Sequence, residues 1–223
     1  MTFSIAGTDG NGRFGMAVCS SSPAVAARCI HLRDGVGAVS SQNITDPRLG
    51  PALLDRLEAG DSAQQALDAV ADSAENIDFR QLVVLDSQGG SAVFNGSRTL
   101  GVYGQGKGAS CVAAGNMLAD PGVLQAACDA FEAADGELEE QLLAGLQAAI
   151  AAGGEAGPVY SAGMSVVSGH GWRDTDLRVD WHERPIAELG KLLEIWMPQR
   201  DAYVTRGLDP LVSEGYGVPG DDR

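Results

Sequence analysis

The sequence has very little positive charge from lysine, and it contains no long apolar run. Among its 223 residues only Lys107 and Lys191 are lysines, and 30 acidic residues against 15 basic ones give a formal net charge of −15. This acidity disfavours nucleic acid and anionic membranes as partners. No apolar stretch is long enough to span a bilayer, and no basic-then-apolar signal opens the chain. We therefore expect a cytoplasmic protein with no membrane partner.

Cysteine and histidine are also scarce, and their spacing matches no familiar metal or redox motif. The four cysteines form no C-x-x-C pair, and the three histidines match no H-E-x-x-H pattern. Cys19 and Cys111 lie in apolar, strand-like runs and Cys128 in an alanine-rich helical pattern, which predicts buried, reduced thiols. No base stands near Cys19 in the sequence to activate it. We expect no metal and no cofactor.

The order of predicted elements indicates an α+β protein. Strands come first, then two helices, more strands, two helices, two strands and a last helix. Strands that are neighbours in sequence pair as hairpins, so the sheets should be mainly antiparallel, with helices arriving in pairs to cover their faces. One solution is a four-layer αββα sandwich of two stacked sheets flanked by helices. A two-layer α+β arrangement is the alternative.

Three local patterns lead to specific predictions. Asp61 or Ser62 can cap the second of the first two helices, whose apolar residues follow the helical period. The glycine-rich segment 104–108 contains a lysine and superficially suggests a phosphate-binding loop, but it lies between two predicted strands, so a hairpin loop is the better interpretation. The last helix is predicted from Pro185 to Met197.

The composition divides the chain into a domain of residues 1–197 and a tail of residues 198–223. A hydrophobic fraction of 44% over this length supports one domain, or a compact pair, with a sizeable core. The tail mixes apolar residues with glycines, prolines and charges, and it would fray unless it docked. It can dock on its own domain or across a two-fold interface. We expect a homodimer to which the tail contributes.

A hydroxyl residue stands at the second position, directly before a predicted strand. Loss of Met1, which a small residue such as Thr2 permits, would leave Thr2 with a free α-amine. A hydroxyl and an amine on one residue form a nucleophile and its base, the N-terminal threonine variant of nucleophilic catalysis. The alternative is an ordinary first strand that begins with Met-Thr by chance.

Several segments spread over most of the chain, roughly from residue 2 to residue 195, share one family pattern. They are Met1-Thr2-Phe3-Ser4-Ile5, Gly15-Met16-Ala17-Val18, Gly35-Val36-Gly37-Ala38-Val39, Gln42, Gly115-Asn116, Gly153-Gly154, Ser161-Ala162 and Asp176-Leu177-Arg178-Val179-Asp180. With these segments the chain resembles the bacterial domain-of-unknown-function family numbered 1028, placed in the N-terminal-nucleophile (Ntn) hydrolase superfamily. This resemblance implies an αββα sandwich and amide hydrolysis.

The resemblance implies a nucleophile and a set of donors around it. The Ntn pattern places the nucleophile at Thr2, whose own α-amine would accept the proton. Gly115 and Asn116 are candidates for stabilising the oxyanion, through their backbone and the Asn116 amide, because glycine permits a close approach to a ligand. The alternative is a turn before a helix.

Four further polar residues complete the candidate site implied by the resemblance. Gln42 and Asn43 follow a strand and are expected to orient substrate, and Ser20 and Ser21 follow the second strand and are expected to tune the amine. The alternatives are that Gln42 and Asn43 are ordinary loop residues, and that Ser20 and Ser21 only form hydrogen bonds with backbone groups. The leading function is hydrolysis of a small amide or peptide-like substrate, and the alternative is a catalytically silent Ntn fold that serves as a binding or assembly subunit.

Two segments depart from the family pattern. Relatives carry a basic residue in the stretch that is here Ser20-Ser21-Ser22-Pro23, and Arg28 is the nearest downstream positive charge. The stretch after Gly154 is polar and arginine-rich in the family, but here it begins with Glu155 and continues with small residues. We therefore expect the substrate side of the pocket to differ.

Overall fold

The computed structural model describes residues 1–221, and over this range the chain forms ten strands and six α-helices. The strands are β1 (Thr2–Thr8), β2 (Phe14–Ser20), β3 (Ile30–Arg33), β4 (Gly37–Asn43), β5 (Arg80–Asp86), β6 (Ser91–Asn95), β7 (Val102–Lys107), β8 (Cys111–Leu118), β9 (Ser161–Val167) and β10 (Arg173–Val179). The helices are α1 (Val25–Cys29), α2 (Leu49–Glu58), α3 (Ala63–Ser73), α4 (Val123–Ala133), α5 (Leu138–Ala151) and α6 (Pro185–Leu208).

The strands form two antiparallel sheets, as the sequence predicts. The first has the order β10-β9-β2-β1-β8-β7 and the second β3-β4-β5-β6. All seven residues of β1 are buried, because both faces of its sheet are covered. Phe3 and Ile5 point into a cluster shared with helices, whereas Ser4 and Ala6 point towards the second sheet. The fold is therefore a mixed α+β structure with two antiparallel sheets and flanking helices.

Three apolar clusters connect these elements. Helices α4, α5 and α6 pack on the six-stranded sheet, a second cluster lies between the two sheets, and α2 and α3 pack on the four-stranded sheet. Phe131 of α4 lies so close to β1 that a Cβ on Gly7 would be 2.4 Å from its Cζ. Burying one such large side chain contributes roughly 1.5–3 kcal/mol. Gly7 is thus required by the packing of α4 on the sheet.

The structure matches the sequence pattern at the start of one helix and differs from it at the start of another. Ser62 is the N-cap of α3 and forms a capping box with Gln65, so the predicted choice between Asp61 and Ser62 resolves to Ser62. Asp120 and Pro121 match a helix cap and a first-turn proline in the sequence, but they form a turn before α4, in which the Asp120 carboxylate accepts a hydrogen bond from the Gly122 amide.

One prediction of a loop was wrong, and two short elements were not predicted. The glycine-rich segment 104–108 is not a hairpin loop, because β7 runs through it as far as Lys107. A Cβ on Gly106 would lie 2.4 Å from the Leu124 carbonyl oxygen, so glycine there lets α4 approach the strand. The short elements α1 and β3 were not predicted, since four or five residues hold too little periodic pattern.

The last helix does not end at Met197 but continues through Pro198 to Leu208. Side-chain contacts with other elements stabilise this additional part of the helix. Trp196 Nε1 donates to Thr175 Oγ1 over 2.9 Å, and the Trp196 ring stacks on Tyr203. Arg200 lies 3.1 Å from a carboxylate oxygen of Glu137, the N-cap residue of α5. The first part of the predicted tail therefore docks on its own domain, and its last two residues lie outside the described range.

The remaining described residues after α6 expose apolar side chains. Leu211 and Val212 are 88% and 70% exposed. None of the helices that the structure describes is long and apolar enough to cross a membrane. The cytoplasmic location expected from the sequence stays a prediction.

Candidate functional site

The ends of three adjacent strands bring three of the predicted site residues together. Thr2 begins β1, Ser20 ends β2, and Asn116 lies near the end of β8. In the antiparallel registers Thr2 is opposite Ser20 on one side and opposite Asn116 on the other. The Thr2 side chain is thereby fixed at one end of the six-stranded sheet, where it is only 5% exposed with Met1 in place.

Two hydroxyl groups converge on the carbonyl oxygen of Met1. Thr2 Oγ1 donates to this oxygen over 2.6 Å, and Ser20 Oγ donates to the same oxygen. The two hydroxyl oxygens lie 3.2 Å apart. A carbonyl oxygen at this position therefore accepts hydrogen bonds from the hydroxyl of the candidate nucleophile and from the Ser20 hydroxyl on the neighbouring strand.

The hydroxyl pair continues into a chain that ends at a positive charge. Ser20 Oγ lies 3.0 Å from Ser22 Oγ, and Arg28 Nη2 donates to Ser22 Oγ over 3.0 Å. Arg28 also donates to the backbone carbonyls of Pro23 and Ala24, which hold its guanidinium against the loop. Arg28 thus reaches Thr2 through two serines, which the sequence alone could not show. A cation at the end of a hydroxyl chain favours loss of a proton at the other end.

Asn116 is anchored from behind. Its Nδ2 donates to Gln81 Oε1 on β5 over 3.0 Å, while its Oδ1 is buried and makes no hydrogen bond. Gly115, one residue earlier, packs so tightly that a Cβ would be 2.9 Å from Phe3 Cβ and 3.1 Å from Leu124 Cδ2. Packing accounts for this glycine, and its role as an oxyanion donor stays a prediction.

The predicted substrate-orienting pair lies behind this end of the sheet. Gln42 is fully buried, accepts from the Ser4 hydroxyl over 2.9 Å, and donates to Gln81 Oε1 over 2.8 Å. Asn43 donates to the Phe79 carbonyl over 2.6 Å. In this arrangement Gln42 contacts the site through Gln81 and Asn116, and direct contact of either residue with substrate stays a prediction.

The backbone beside Asn116 is strained. Met117 has φ of 52°, a left-handed conformation that costs a residue with a Cβ roughly 1–3 kcal/mol. It is held by hydrogen bonds on both sides, from its amide to the Leu100 carbonyl and from the Ala156 amide to its own carbonyl, each 2.9 Å. Strain of this kind concentrates at functional sites, because the surrounding structure must maintain it.

Glu155 is the residue of this region whose role sequence reasoning missed. It is only 4% exposed, and neither of its carboxylate oxygens has a partner at normal hydrogen-bond geometry. Burial raises the pKa of Glu155 to about 7, opposed by the α-ammonium of Met1 and by Ser21, which both favour the charged form. The same carboxylate adds to burial in raising the pKa of the Cys19 thiol. In the sequence, the feature that could have drawn attention to Glu155 was its position in the segment that departs from the family pattern.

Ser21, predicted to tune the amine, faces Glu155 instead: its backbone amide and its hydroxyl act as weak hydrogen-bond donors that lower the pKa of this carboxyl, against the larger effect of burial. The described part of the chain contains no group of three or more histidine, cysteine or acidic side chains that could hold a metal ion. The four cysteines are free and buried. Burial raises the pKa of Cys29, so this thiol is poorly suited to act as a nucleophile.

Comparison with known proteins identifies relatives over almost the whole chain. The model of the family described as "Family of unknown function (DUF1028)" matches residues 2–189. The crystal structure of protein SPO2555 from Silicibacter pomeroyi, assigned to the same family model, is 31% identical, with 92% of this chain and 90% of that chain covered and a TM-score of 0.85. Anbu (ancestral beta-subunit) from Yersinia bercovieri is 11% identical, with coverage of 90% and 97% and a TM-score of 0.41. The search of curated proteins finds no match.

Proposed function

The chain belongs to the DUF1028 family, described as a family of unknown function, and we propose that it is an Ntn-type amide hydrolase with Thr2 as its nucleophile. The observation that carries this proposal is the convergence of the Thr2 and Ser20 hydroxyls on the Met1 carbonyl oxygen. We take the two sheets and their helices as the four-layer αββα sandwich of that superfamily. The substrate is a small amide or peptide-like molecule.

The proposed reaction begins after removal of Met1. The free α-amine of Thr2 accepts the proton of the Thr2 hydroxyl as its oxygen attacks the amide carbonyl carbon. The Ser20 hydroxyl, which already donates to a carbonyl oxygen at this position, stabilises the developing oxyanion. The Asn116 side chain does not share this role as placed, because its Nδ2 donates to Gln81 and its free Oδ1 is an acceptor. The C–N bond then breaks, the leaving amine takes the proton, and water hydrolyses the ester on Thr2.

Arg28 supplies the positive charge for this chemistry. Its guanidinium is joined to the Thr2 hydroxyl by Ser22 and Ser20, in a chain in which each oxygen contacts the next. A positive charge at the end of this chain favours the deprotonated form of the Thr2 hydroxyl as it attacks. The sequence contains no lysine before Lys107 that could supply this charge instead.

The test is covalent labelling of Met1-free protein with a β-lactone. We expect one label on Thr2 by intact mass and peptide mapping, none on Thr2→Ala, and slower labelling of Thr2→Ser, which keeps a hydroxyl beside the amine. Labelling that persists in Thr2→Ala, or its absence from protein shown to lack Met1, would refute the nucleophile. Retention of Met1 in the native host would favour the alternative, a silent binding or assembly subunit.

We also propose that the protein is a homodimer. The support is the exposed apolar pair Leu211 and Val212 in the segment that follows α6. Side chains of this kind are unusual on the surface of a monomer when they stand together, and two-fold association would bury them.

A further inference from the structure

Met1 occupies the site beside Thr2 in the form of an aminoacyl group. It has a carbonyl, an α-ammonium group and a side chain, and it is joined to Thr2 by an amide bond. In the proposed reaction the intermediate is an acyl group joined to the Thr2 hydroxyl instead. A methionyl amide on the Thr2 nitrogen and a methionyl ester on the Thr2 oxygen are isomers, so their acyl groups occupy neighbouring positions. The contacts of Met1 therefore indicate which acyl group the site accommodates.

Each part of Met1 has its own surroundings. The carbonyl oxygen accepts hydrogen bonds from the Thr2 and Ser20 hydroxyls. The α-ammonium acts electrostatically on Glu155. The side chain lies along Gly157, where a Cβ would be 3.2 Å from Met1 Cε and 3.7 Å from Sδ. Removal of Met1 vacates a space of the size of one amino-acid residue beside these groups.

Glu155 is the charged side chain in this space that no hydrogen bond of normal geometry holds. It is buried, neither carboxylate oxygen has a partner at such geometry, and the Ser21 amide and hydroxyl favour its charged form less than the α-ammonium of Met1 does. A buried carboxylate in this condition is costly unless a cation or several donors join it. Asn116 Oδ1 is a second buried acceptor without a partner at the same strand end. Two unpaired acceptors favour a ligand that brings N–H donors and positive charge.

We propose that the site accepts L-α-aminoacyl amides with a free amino group, and that Glu155 binds the ammonium group of the substrate. This inference rests on the proposed function of Thr2 and specifies its substrate class. The substrate carbonyl takes the position of the Met1 carbonyl, and its side chain follows Gly157. Thr2 Oγ forms the ester, the amine leaves with the hydroxyl proton, and water releases the free amino acid.

The first experiment measures binding without turnover, in Met1-free protein that carries Thr2→Ala. Calorimetric titration compares L-methioninamide with N-acetyl-L-methioninamide, which lacks the charge. We expect the free amine to bind at least about tenfold more tightly, as a charge-assisted hydrogen bond supplies. In Thr2→Ala/Glu155→Gln this preference should disappear. Thr2→Ala/Glu194→Gln, which removes an exposed carboxylate on α6 instead, should keep it.

The second experiment measures ammonia release by Met1-free protein from the same two amides. We expect kcat/KM for L-methioninamide to exceed that for the acetylated amide by about tenfold or more, and Glu155→Gln to raise KM for the free amine with little change for the acetylated one. Equal binding of both amides to the Thr2→Ala protein overturns the assignment of Glu155, even where the β-lactone labels Thr2. If the protein binds the free amine selectively but the β-lactone never labels Thr2, the proposed hydrolysis is refuted and the binding site is supported. Glu155 would then bind amino-acid amides without catalysis.

Discussion

Gln81 on the four-stranded sheet accepts a hydrogen bond from Asn116 on the six-stranded sheet, with 3.0 Å between Oε1 and Nδ2. The Gln81 side chain also accepts from Gln42 Nε2 and donates to the Gly115 carbonyl and to Asn95 Oδ1. One buried amide therefore joins the two sheets directly behind the strand end that carries Thr2.

Replacement of Gln81 by leucine should destabilise the protein strongly. It keeps the volume but leaves several buried donors and acceptors unpaired, each at a cost of about 1–3 kcal/mol. We expect the free energy of unfolding in urea to fall by about 3 kcal/mol or more. Ser41→Ala is the matched control, because the Ser41 hydroxyl is buried without a hydrogen bond, and it should be close to neutral. A Gln81→Leu protein as stable as this control would contradict the role of the network.

The hydroxyl chain should control the reactivity of Thr2. Ser20→Ala removes the hydroxyl 3.2 Å from Thr2 Oγ1, and we expect labelling by the β-lactone to slow by about tenfold, the effect of one hydrogen bond. Arg28→Gln should slow it less, since the charge acts through Ser22. Ser73→Ala, on the exposed face of α3, is the control and should leave the rate unchanged. Unaltered labelling of the Ser20 variant would remove Ser20 from the mechanism.

The raised pKa of Glu155 predicts a pH-dependent cost to stability. In the unfolded chain this carboxyl titrates near 4.5, and in the folded protein near 7. Between these values the folded state binds more protons, so the contribution of Glu155 to stability falls as the pH rises from 4.5 through 7. The neighbouring α-ammonium and the Cys19 thiol are the other titratable groups that interact with it.

Glu155→Gln should therefore gain stability relative to the unmodified chain as the pH rises. The difference between the two proteins should grow by about 3 kcal/mol between pH 4.5 and pH 8, because one pKa unit corresponds to about 1.4 kcal/mol. Urea unfolding of both proteins at the two pH values measures it, and Glu194→Gln serves as the control. A constant difference across this range would show that the Glu155 carboxyl is not desolvated as the structure has it.

The segment after α6 should carry the dimer contact. Removal of residues 209–223 deletes the exposed Leu211 and Val212 but keeps Arg200 and its contact with Glu137. We expect light scattering to show a dimer for the full chain and a monomer for the shortened one, with unchanged circular dichroism. A monomeric full-length chain would refute the dimer, and a shortened chain that still dimerises would place the interface elsewhere.

Elements that depend on contacts between near neighbours in the chain could be predicted from local pattern. The strands around Thr2 and Phe14 alternate or are uniformly apolar, and the turn-forming residues between them predict a hairpin, which the register of β1 and β2 confirms. Ser62 with Gln65 marks the start of α3, since a capping box is a contact between residues three apart. The resemblance to the family was also visible in the sequence, and the match over residues 2–189 confirms it.

Features that depend on contacts between residues far apart in the chain could not be predicted in this way. The glycine-rich segment forms part of β7, because the absence of a side chain at Gly106 lets α4 pack closely against it. Helix α6 continues beyond Met197, because Trp196 and Arg200 contact residues of other elements. Pairing of three strand ends places Thr2, Ser20 and Asn116 together. The connection of Arg28 to Thr2 and the burial of Glu155 arise in the same way, since charge state and solvent exposure depend on neighbours that sequence distance does not specify.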